Sequence, residues 1–385
     1  ADCFEAETEA GEQIAEASKV RKVIVVGGGV AGVAAAESLR KMSSTVEIAL
    51  LSKETAEPYY RLNLTRYLSG EIGEKELPIK PAGWYEQQKI ELLRGVEVSN
   101  LNIDGGIVKL HDGKELAYDK LILTVGAHPF VPPFPGANRE GLTSLRTIED
   151  ARRILGTDLG GRRCVCVGGG LLGLEAAGAL ARQGADVTLL EGHGWPLPRQ
   201  LSEKAGQILA GHMVDSGIKL RTMARTHEIV GDERVRGVLL EDGSTIAAEL
   251  VVIATGVRAN SYLARMAGLE VNNGVVVDNL LKTSHPDVFA AGDVAEHRGV
   301  LYGTWAPAQY QGGIAGMNAL GGHTEFGGIP RSNTLKVLDL EMFSIGQIQP
   351  PDGSYEVVEQ QTSSGYVRFV FHDSHMVGGI LLGDA

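Results

Sequence analysis

Cysteine is scarce in this sequence, and its positions exclude a disulfide-stabilised fold. Only Cys3, Cys164 and Cys166 occur in 385 residues, whereas a framework of bridges needs several pairs. Cys164 and Cys166 alternate within an apolar run, so on a strand both side chains face the same way. A regular strand holds such a pair poorly for bonding. We therefore predict two buried core residues rather than a C-x-C redox pair.

Positive charge and long apolar runs are also lacking. The 48 acidic residues outnumber the 36 lysines and arginines, and the formal net charge is −12, which argues against nucleic-acid binding because that needs a basic face. No apolar run approaches the roughly 18 residues of a membrane span. Residues 1–20 carry five glutamates, the reverse of a basic signal-peptide start. We predict an acidic tail or linker there, and a cytoplasmic protein.

Glycine, by contrast, is abundant, with 51 residues, and two stretches place it between a strand and a helix. Residues 23–26 are apolar and typical of a buried parallel strand. They lead into Gly27-Gly28-Gly29-Val30-Ala31-Gly32, a helix through Leu39 and a second strand at 46–51. The same order returns with a strand at 164–167, Gly168-Gly169-Gly170-Leu171-Leu172-Gly173, a helix to about Gln183 and a strand at 186–190. The sequence therefore predicts two βαβ units in a chain of two or three domains.

Each glycine stretch has the spacing of a dinucleotide-binding loop. The first glycine permits a tight turn, the second lets the backbone approach a pyrophosphate, and the third lets helix and strand pack closely. The helix N-terminus then stabilises the anion. One such stretch is a weak signal, since a glycine-rich turn without ligand can have the same pattern. Two stretches in the same context predict two separate dinucleotides.

In each unit we expect an acidic residue to hydrogen-bond a ribose of the bound dinucleotide. Glu191 follows the strand at 186–190, where it can accept bonds from both ribose hydroxyls and repel a 2′-phosphate. It therefore favours NADH over NADPH, and the alternative is a solvated charge at a strand end. In the first unit Glu54 is the only nearby acid, and we assign it to the ribose of the other dinucleotide. Ser52 could share that role.

Further stretches resemble a known family. They are Thr124-Val125-Gly126 and its second copy Ala254-Thr255-Gly256, Val288-Phe289-Ala290-Ala291-Gly292-Asp293, Pro58-Tyr59-Tyr60-Arg61 with Leu64-Thr65-Arg66-Tyr67-Leu68-Ser69-Gly70, and Thr334-Leu335-Lys336-Val337. Together they resemble the FAD-dependent pyridine nucleotide-disulfide oxidoreductase superfamily. Within it they are most similar to NADH:rubredoxin oxidoreductases and the flavin portion of nitrite reductase large subunits. The resemblance covers about residues 21–383.

The resemblance implies an α/β fold with two interleaved, Rossmann-like dinucleotide-binding domains of the glutathione-reductase type and a small C-terminal α+β domain. The FAD-binding domain would span residues 21–145 and 257–326, and the NADH-binding domain residues 146–256. The C-terminal interface domain would be residues 327–385. Within it the sequence itself predicts strands at 366–371 and 376–382, with Asp373-Ser374 as the hairpin turn.

The resemblance also implies roles for individual residues. The predicted FAD-binding residues are Gly27, Gly29, Gly32, Glu54, Arg61, Arg66, Thr124, Gly126, Gly292, Asp293 and Trp305, and the NADH-binding residues are Gly168, Gly170, Gly173, Glu175, Glu191 and Gly256. Trp305 could equally be core packing. As catalytic residues we predict Arg66 and Glu175, forming an ion pair beside the isoalloxazine that shifts its potential. The alternative is an ordinary surface arginine and a helix-face glutamate.

The lack of cysteine in one stretch of the sequence bears on the route by which electrons leave the flavin. Disulfide reductases of this fold carry a cysteine pair beside the flavin, but residues 59–70 contain none, which argues against a thiol route. No residue cluster has metal-ligand spacing either. The sequence therefore predicts direct transfer to a small iron-sulfur or iron protein such as rubredoxin. The alternatives are an electron-input subunit or domain of a larger complex, such as a nitrite reductase, and a structural role for FAD. A monomer and a homodimer are both compatible with the sequence.

Overall fold

The computed structural model describes residues 20–330, 332–337, 339–362 and 365–384. The predicted acidic tail, apart from Val20, and Cys3 lie outside the described residues. The chain divides into two compact units. The first comprises residues up to 62, 75–128 and 258–329, and the second comprises residues 63–74, 129–257 and 330–385.

The helices of the described residues are α1 Val30–Met42, α2 Leu64–Ser69, α3 Trp84–Gln87, α4 Ile148–Leu155, α5 Leu171–Arg182, α6 Glu203–Asp215, α7 Tyr262–Met266 and α8 Trp305–Ala319. The strands up to residue 143 are β1 Lys22–Val26, β2 Glu47–Ser52, β3 Ile90–Arg94, β4 Val98–Asn102, β5 Ile107–Leu110, β6 Glu115–Ala117, β7 Lys120–Leu123, β8 Ala127–Pro129 and β9 Leu142–Thr143. The later strands are β10 Arg163–Val167, β11 Asp186–Leu190, β12 Lys219–Arg221, β13 Thr226–Gly231, β14 Val235–Leu240, β15 Thr245–Ala247, β16 Leu250–Ile253, β17 Val257–Ala259, β18 Val275–Val277, β19 Val288–Ala290, β20 Ala295–His297, β21 Ser332–Val337, β22 Leu340–Gly346, β23 Glu356–Gln361, β24 Gly365–His372 and β25 His375–Gly383.

The first unit is built on a five-stranded parallel sheet in the order β19-β7-β1-β2-β3. Its central strand β1 is buried almost throughout, as expected of a strand covered on both faces, and this explains its unbroken valine and isoleucine run. The antiparallel meander β4-β5-β6 lies between β3 and β7 in sequence. The predicted βαβ unit is confirmed.

Close packing of α8 on α1 fixes one side of this sheet. A Cβ at Gly312 would overlap the carbonyl of Ala31, and one at Gly316 would lie 2.5 Å from the carbonyl oxygen of Ala35. The two glycines are four residues apart, so they lie on one face of α8. Their missing side chains let the two helix backbones approach within contact distance.

The second unit repeats this architecture. Its parallel sheet has the order β9-β16-β10-β11-β12, and the meander β13-β14-β15 lies between β12 and β16 in sequence. Cys164 and Cys166 are buried on the central strand β10, as predicted. Burial raises the pKa of the Cys164 thiol to about 11 and that of Cys166 further, so both are unreactive thiols.

The C-terminal segment of the second unit forms an antiparallel sheet in the order β21-β22-β25-β24-β23. The two predicted strands are confirmed as β24 and β25, each slightly longer than expected. Asp373 and Ser374 form the turn with φ of 48° and 63°. Over its described residues this segment contains strands and no helix, so the helical part of the α+β expectation has no counterpart there.

The division into units differs from the expected domain boundaries. Residues 63–74 and 129–145, assigned from the resemblance to the FAD-binding domain, belong to the second unit, together with residues 330–385. The reason for the first difference is local: α2 packs on α4 and α5, and Gln183 donates to the carbonyl of Leu68 at 3.0 Å. None of the described helices is long and apolar enough to cross a membrane.

Candidate functional site

The first glycine loop joins β1 to α1 and leaves its helix N-terminus open. Gly27 has a φ of 123°, and a Cβ there would overlap the carbonyl of Thr124. A Cβ at Gly32 would overlap the carbonyl of Gly27, which is why the first turn of α1 packs so closely on the loop. At Gly29, the residue before α1, a Cβ would meet nothing within 4 Å. The loop therefore offers backbone amides and a helix N-terminus to an anion.

The second glycine loop, between β10 and α5, has the same geometry. Gly168 has a φ of 110°, and a Cβ there would lie 2.5 Å from the carbonyl oxygen of Ala254. A Cβ at Gly173 would overlap the carbonyl of Gly168, and one at Gly170 would again meet nothing within 4 Å. The predicted glycines of both loops thus fall at positions that require glycine or leave room for a ligand.

Glu191 lies beside the second glycine loop. It follows Leu190, which pairs with Val167 at the end of β10, so its side chain reaches the glycine loop. The side chain is buried, with 6% of the residue exposed. Its Oε2 accepts the N–H of Gly169 at 2.9 Å, and its Oε1 accepts the backbone N–H and ring Nδ1–H of His193 at 2.8 and 2.7 Å.

In the first unit the equivalent position belongs to Ser52. It follows Leu51, which pairs with Val26 at the end of β1, and a Cβ at Gly28 would lie 2.7 Å from its Oγ. The Ser52 hydroxyl donates to the carbonyl of Glu54 at 3.3 Å. The residue that the sequence offered as an additional candidate therefore lies at the strand end, and Glu54 lies two residues beyond it.

The Glu54 side chain is part of a cluster with Tyr59 and Arg61. Tyr59 donates its hydroxyl to Glu54 Oε2 at 2.6 Å, and Arg61 donates to Glu54 Oε1 at 2.6 Å and to the Tyr59 hydroxyl at 3.1 Å. Burial lowers the pKa of Arg61, but Tyr59, Glu54 and Asp293 together raise it above its ordinary value. Sequence reasoning missed Tyr59; its place between Pro58 and Arg61 in the family-like stretch was the available signal.

The Gly292–Asp293 turn meets the start of α1 and the second turn of α8. Gly292 has a φ of 80° and donates its N–H to Gln311 Oε1 at 2.9 Å. Gln311 is fully buried, and its Nε2 has no acceptor among the described residues. A Cβ at Gly292 would lie 2.9 Å from that of Ala31. The turn is therefore held against the first glycine loop, and a buried donor remains beside it.

Trp305 begins α8 and stacks on Tyr60, with ring centroids 4.8 Å apart and an interplanar angle of 30°. Its indole N–H donates to Gln309 Oε1 at 3.2 Å. Tyr60 is 36% exposed, so the pair forms a partly exposed aromatic surface on the first unit rather than a core contact.

The loops after β7 and β16 return the chain past the two glycine loops. Thr124 donates its hydroxyl to the carbonyls of Val26 and Gly27 at 3.0 and 2.9 Å, which ties the returning strand to the first loop. Gly126 and Gly256 both adopt positive φ, 65° and 114°. A Cβ at Gly256 would meet nothing within 4 Å, so backbone there is open to a ligand.

The predicted ion pair between Arg66 and Glu175 is not formed in this structure. Arg66 is paired with Glu71 through its Nε at 3.2 Å, with 52% of the arginine side chain exposed. Among the described residues Glu175 has one hydrogen-bond partner, the Thr65 hydroxyl at 3.3 Å from Oε2. The reason is geometric: Arg66 and Glu71 flank the end of α2, and Glu71 is also the partner of Arg182, so the arginine is directed toward the exposed side of the helix.

Glu175 is therefore a partly buried carboxyl that has no cation beside it among the described residues. Burial raises its pKa to about 7, and the Thr65 hydrogen bond lowers it only partly. A group with that pKa is close to half protonated at neutral pH. Thr65, which is itself buried, was not singled out from sequence; its position next to Arg66 in the motif gave no indication that it would be the bonded residue.

The residues present fit two dinucleotides. Gly29 and Gly170 leave the helix starts open, and Gln311 has a buried donor without an acceptor among the described residues. Glu191 holds a buried carboxylate beside the second loop. The structure groups Gly27, Gly29, Gly32, Glu54, Arg61, Thr124, Gly126, Gly292, Asp293 and Trp305 in the first unit, and Arg66, Gly168, Gly170, Gly173, Glu175, Glu191 and Gly256 in the second. Arg66, expected with the FAD-binding residues, is thus a residue of the second unit.

Two parallel sheets, each with a glycine loop at a helix start, define an oxidoreductase fold for two dinucleotides. The chain belongs to the pyridine nucleotide-disulphide oxidoreductase family, whose sequence profile matches residues 21–312. Members of this family use FAD and NAD(H). Residues 332–385 match the rubredoxin NAD+ reductase C-terminal domain. The resemblance drawn from the motifs is confirmed.

Two relatives illustrate the similarity to individual proteins. Over 368 residues the chain is 33% identical to nitrite reductase (NAD(P)H) of Bacillus subtilis (strain 168), covering 95% of this chain and 46% of that protein. Over 284 residues it is 35% identical to rubredoxin-NAD(+) reductase of Ectopseudomonas oleovorans, covering 73% of this chain and 74% of that protein. The chain thus spans less than half of the nitrite reductase.

A solved structure supports the same fold. The covalent putidaredoxin reductase–putidaredoxin complex contains a chain that matches with a TM-score of 0.87 and 26% identity, covering 95% of this chain and 90% of that one.

Proposed function

We propose that this protein oxidises NADH at the second glycine loop, holds FAD at the first, and passes the electrons one at a time to a small iron-sulfur or iron protein of the rubredoxin type. When bound, FAD accepts a hydride and can release its electrons singly. The observation that carries the proposal is the pair of glycine loops, of which only the second has a buried carboxylate at the ribose position.

The coenzyme side of the proposal rests on Glu191. Its carboxylate lies within 2.9 Å of the Gly169 N–H, where it can accept from the ribose hydroxyls of NADH. A 2′-phosphate at this place would put two anions together in a buried site, which costs free energy unless a cation pairs with them. His193 Nδ1 is 2.7 Å from the carboxylate but its side chain is largely exposed. NADH is therefore the expected coenzyme.

The acceptor side of the proposal rests on chemistry that the chain lacks and on its relatives. Residues 59–70 contain no cysteine, and the two cysteines of β10 are buried and unreactive. Within the part of the chain that the structure describes, no thiol is therefore available to take the electrons. The rubredoxin-NAD(+) reductase relative and the putidaredoxin reductase complex favour a small redox protein as acceptor.

We further propose that Glu175 and Arg66 act separately in the reaction. Glu175 would contact the nicotinamide as a carboxyl that is neutral in a large fraction of molecules, because Thr65 alone supports its charge. Arg66, held by Glu71 at the exposed end of α2, would supply a positive charge to an acidic partner or to the flavin edge. Asp293, Arg61 and Gln311 would hold FAD in the first unit.

A second candidate is an electron-input portion of a larger redox complex. It is favoured by the 95% coverage of this chain and 46% coverage of the nitrite reductase relative. In that case the acceptor would be another part of the complex. Size exclusion of the native protein separates the two candidates, since a monomer or homodimer that reduces rubredoxin by itself needs no further subunit.

Anaerobic stopped-flow spectroscopy of the FAD-loaded protein tests the main proposal. We expect NADH to bleach the flavin absorbance faster than NADPH, and the reduced protein to reduce rubredoxin faster than it reduces oxygen. Equal, slow rates with rubredoxin, ferredoxin and oxygen would contradict the assigned acceptor. A flavin that NADH leaves oxidised would contradict the redox function and favour a structural role for FAD.

A further inference from the structure

The hydrogen bonds around Glu191 leave too few acceptor positions for the ribose that it is expected to bind. An ionised carboxylate has roughly four acceptor positions. Three are taken: Oε2 by Gly169 N–H, and Oε1 by the backbone N–H and the ring Nδ1–H of His193. A ribose with both hydroxyls directed at the carboxylate needs two positions, so one of the three donors must leave when the coenzyme binds.

Two of the three donors are fixed by the fold. The Gly169 backbone is held by a second hydrogen bond, because its carbonyl accepts the N–H of Leu197 at 2.9 Å. Leu197 is fully buried and has a φ of 56°, so this contact is firmly seated. The backbone of His193 is held as well, since its carbonyl accepts the N–H of Met223 at 2.9 Å.

The His193 ring is the donor that can move. Its side chain is 69% exposed, whereas that of Glu191 is 8% exposed, and rotation about the His193 side-chain bonds carries the ring into solvent without disturbing the backbone N–H contact. An exposed group that leaves one hydrogen bond is rehydrated, so the exchange costs no more than the net value of that bond, about 0.5–1.5 kcal/mol.

We infer that the His193 ring competes with the coenzyme for Glu191. Its imidazole occupies the acceptor position on Glu191 that a ribose hydroxyl takes, and the ring moves away when the coenzyme binds. The inference rests on the proposed binding of NADH at the second loop. Coenzyme affinity then depends on the balance between two donors, the His193 ring N–H and a ribose hydroxyl, that compete for Glu191 Oε1. The ribose hydroxyls are the groups that displace the ring.

Calorimetric titration of the FAD-loaded, full-length chain with ADP-ribose tests the inference, because this ligand carries the adenosine ribose and cannot transfer a hydride. We expect His193→Ala to bind ADP-ribose roughly three- to tenfold more tightly than the parent, the usual effect of one net hydrogen bond. His193→Asn places an amide N–H where Nδ1 stands and should bind like the parent. His227→Ala, at an exposed residue of β13, is the surface control.

A second ligand identifies the hydroxyl that competes with the ring. With ADP-ribose whose adenosine ribose lacks the 2′-hydroxyl, the gain of His193→Ala should disappear, because one free acceptor position is then enough. Unchanged or weaker binding of ADP-ribose by His193→Ala would overturn the inferred competition. So would a complex in which Nδ1 still lies within hydrogen-bond distance of Oε1. If the parent binds neither ADP-ribose nor NADH, the proposed function itself fails.

Discussion

The two dinucleotide-binding units of this chain have the same scaffold and different chemistry. Each has a central strand, a glycine loop, a helix, and an antiparallel meander before the strand that returns beside the first. The positive φ of Gly27 and Gly168 and the overlap of Gly32 and Gly173 with the preceding carbonyls are shared. The comparison shows that the two loops share their backbone geometry and that the side chains around them differ.

Three positions carry the difference. At the strand end the first unit has Ser52 and the second Glu191. Two residues after the third glycine, the first helix has Ala34 and the second has Glu175. The residue after the returning strand is Thr124 in the first unit, whose hydroxyl donates to carbonyls of the first loop and its strand, and Ala254 in the second, which cannot form such a bond. At the first two of these positions the second unit thus has a carboxyl and the first unit has none.

The largest effect is expected from the glycines that the units share. Gly173→Ala would place a methyl group onto the carbonyl of Gly168, displacing the start of α5. We expect NADH affinity to fall by about two orders of magnitude or more, equivalent to roughly 3 kcal/mol, while FAD remains bound. Gly32→Ala should do the reverse, with FAD lost from the purified protein. Absorbance spectra and NADH titrations measure both.

The control for these variants is Gly211→Ala. Gly211 lies within α6, where a Cβ would meet nothing within 4 Å, so the substitution should stabilise the helix by roughly 0.5–1 kcal/mol and leave both ligands bound. Simultaneous loss of FAD and NADH from Gly173→Ala would mean that the loops are not independent, and the comparison would fail.

An intermediate effect is expected when the second unit is given the strand-end residue of the first. Glu191→Ser removes the ribose acceptor and the charge that repels a 2′-phosphate, so the preference for NADH over NADPH should fall by about ten- to hundredfold. The ratio of kcat/KM for flavin reduction by the two coenzymes measures it. Glu241→Gln, at an exposed residue of the same unit, should leave the ratio unchanged. A preserved ratio in Glu191→Ser would place the discrimination elsewhere.

The smallest effect concerns Glu175, which is alanine in the first helix. Its pKa of about 7 in the folded protein exceeds the ordinary 4.5, so the folded state binds this proton more tightly than the unfolded state. The stabilisation is complete below about pH 4.5 and is lost as pH rises through about 7. At pH 8 we expect Glu175→Gln to be more stable than the parent by an amount on the order of 1–3 kcal/mol.

Urea unfolding of the parent and of Glu175→Gln at pH 5, 6, 7 and 8, in the same excess of FAD, measures this difference. Other titrating groups cancel between the two proteins, and the gap should open between pH 5 and 8. A gap that is constant with pH would show that Glu175 stays ionised, as it would if Arg66 moved from Glu71 to pair with it.

Sequence reasoning recovered the features that depend on backbone pattern. The strand, glycine loop and helix of each unit, the terminal hairpin and the buried cysteines were all predicted, because apolar periodicity and obligatory glycines are written into neighbouring residues. Glu191 was predicted by its place after β11. These elements are local, and their physical requirements leave few alternatives.

Side-chain pairing could not be predicted in the same way. Arg66 was predicted to pair with Glu175, whereas its pairing with Glu71 depends on where α2 ends and on the competing Arg182. The same holds for Glu54, whose partners Tyr59 and Arg61 lie on a loop without periodicity. The assignment of residues 63–74 to the second unit likewise depends on packing of a short helix, which carries no sequence signal of its own.

The close contact of α8 with α1 has a consequence for biosynthesis. The central strands of the second unit, β10 to β16, are contiguous in the chain, whereas β19 and α8 of the first unit come more than 240 residues after α1. Synthesis proceeds from the N-terminus, and distant contacts form late because of loop-closure entropy. The α1 face opposite Gly312 and Gly316 therefore stays uncovered until most of the chain has been made. The parallel sheet of the second unit has all of its strands before then, so the parallel sheet that the chain begins first is the one it completes last.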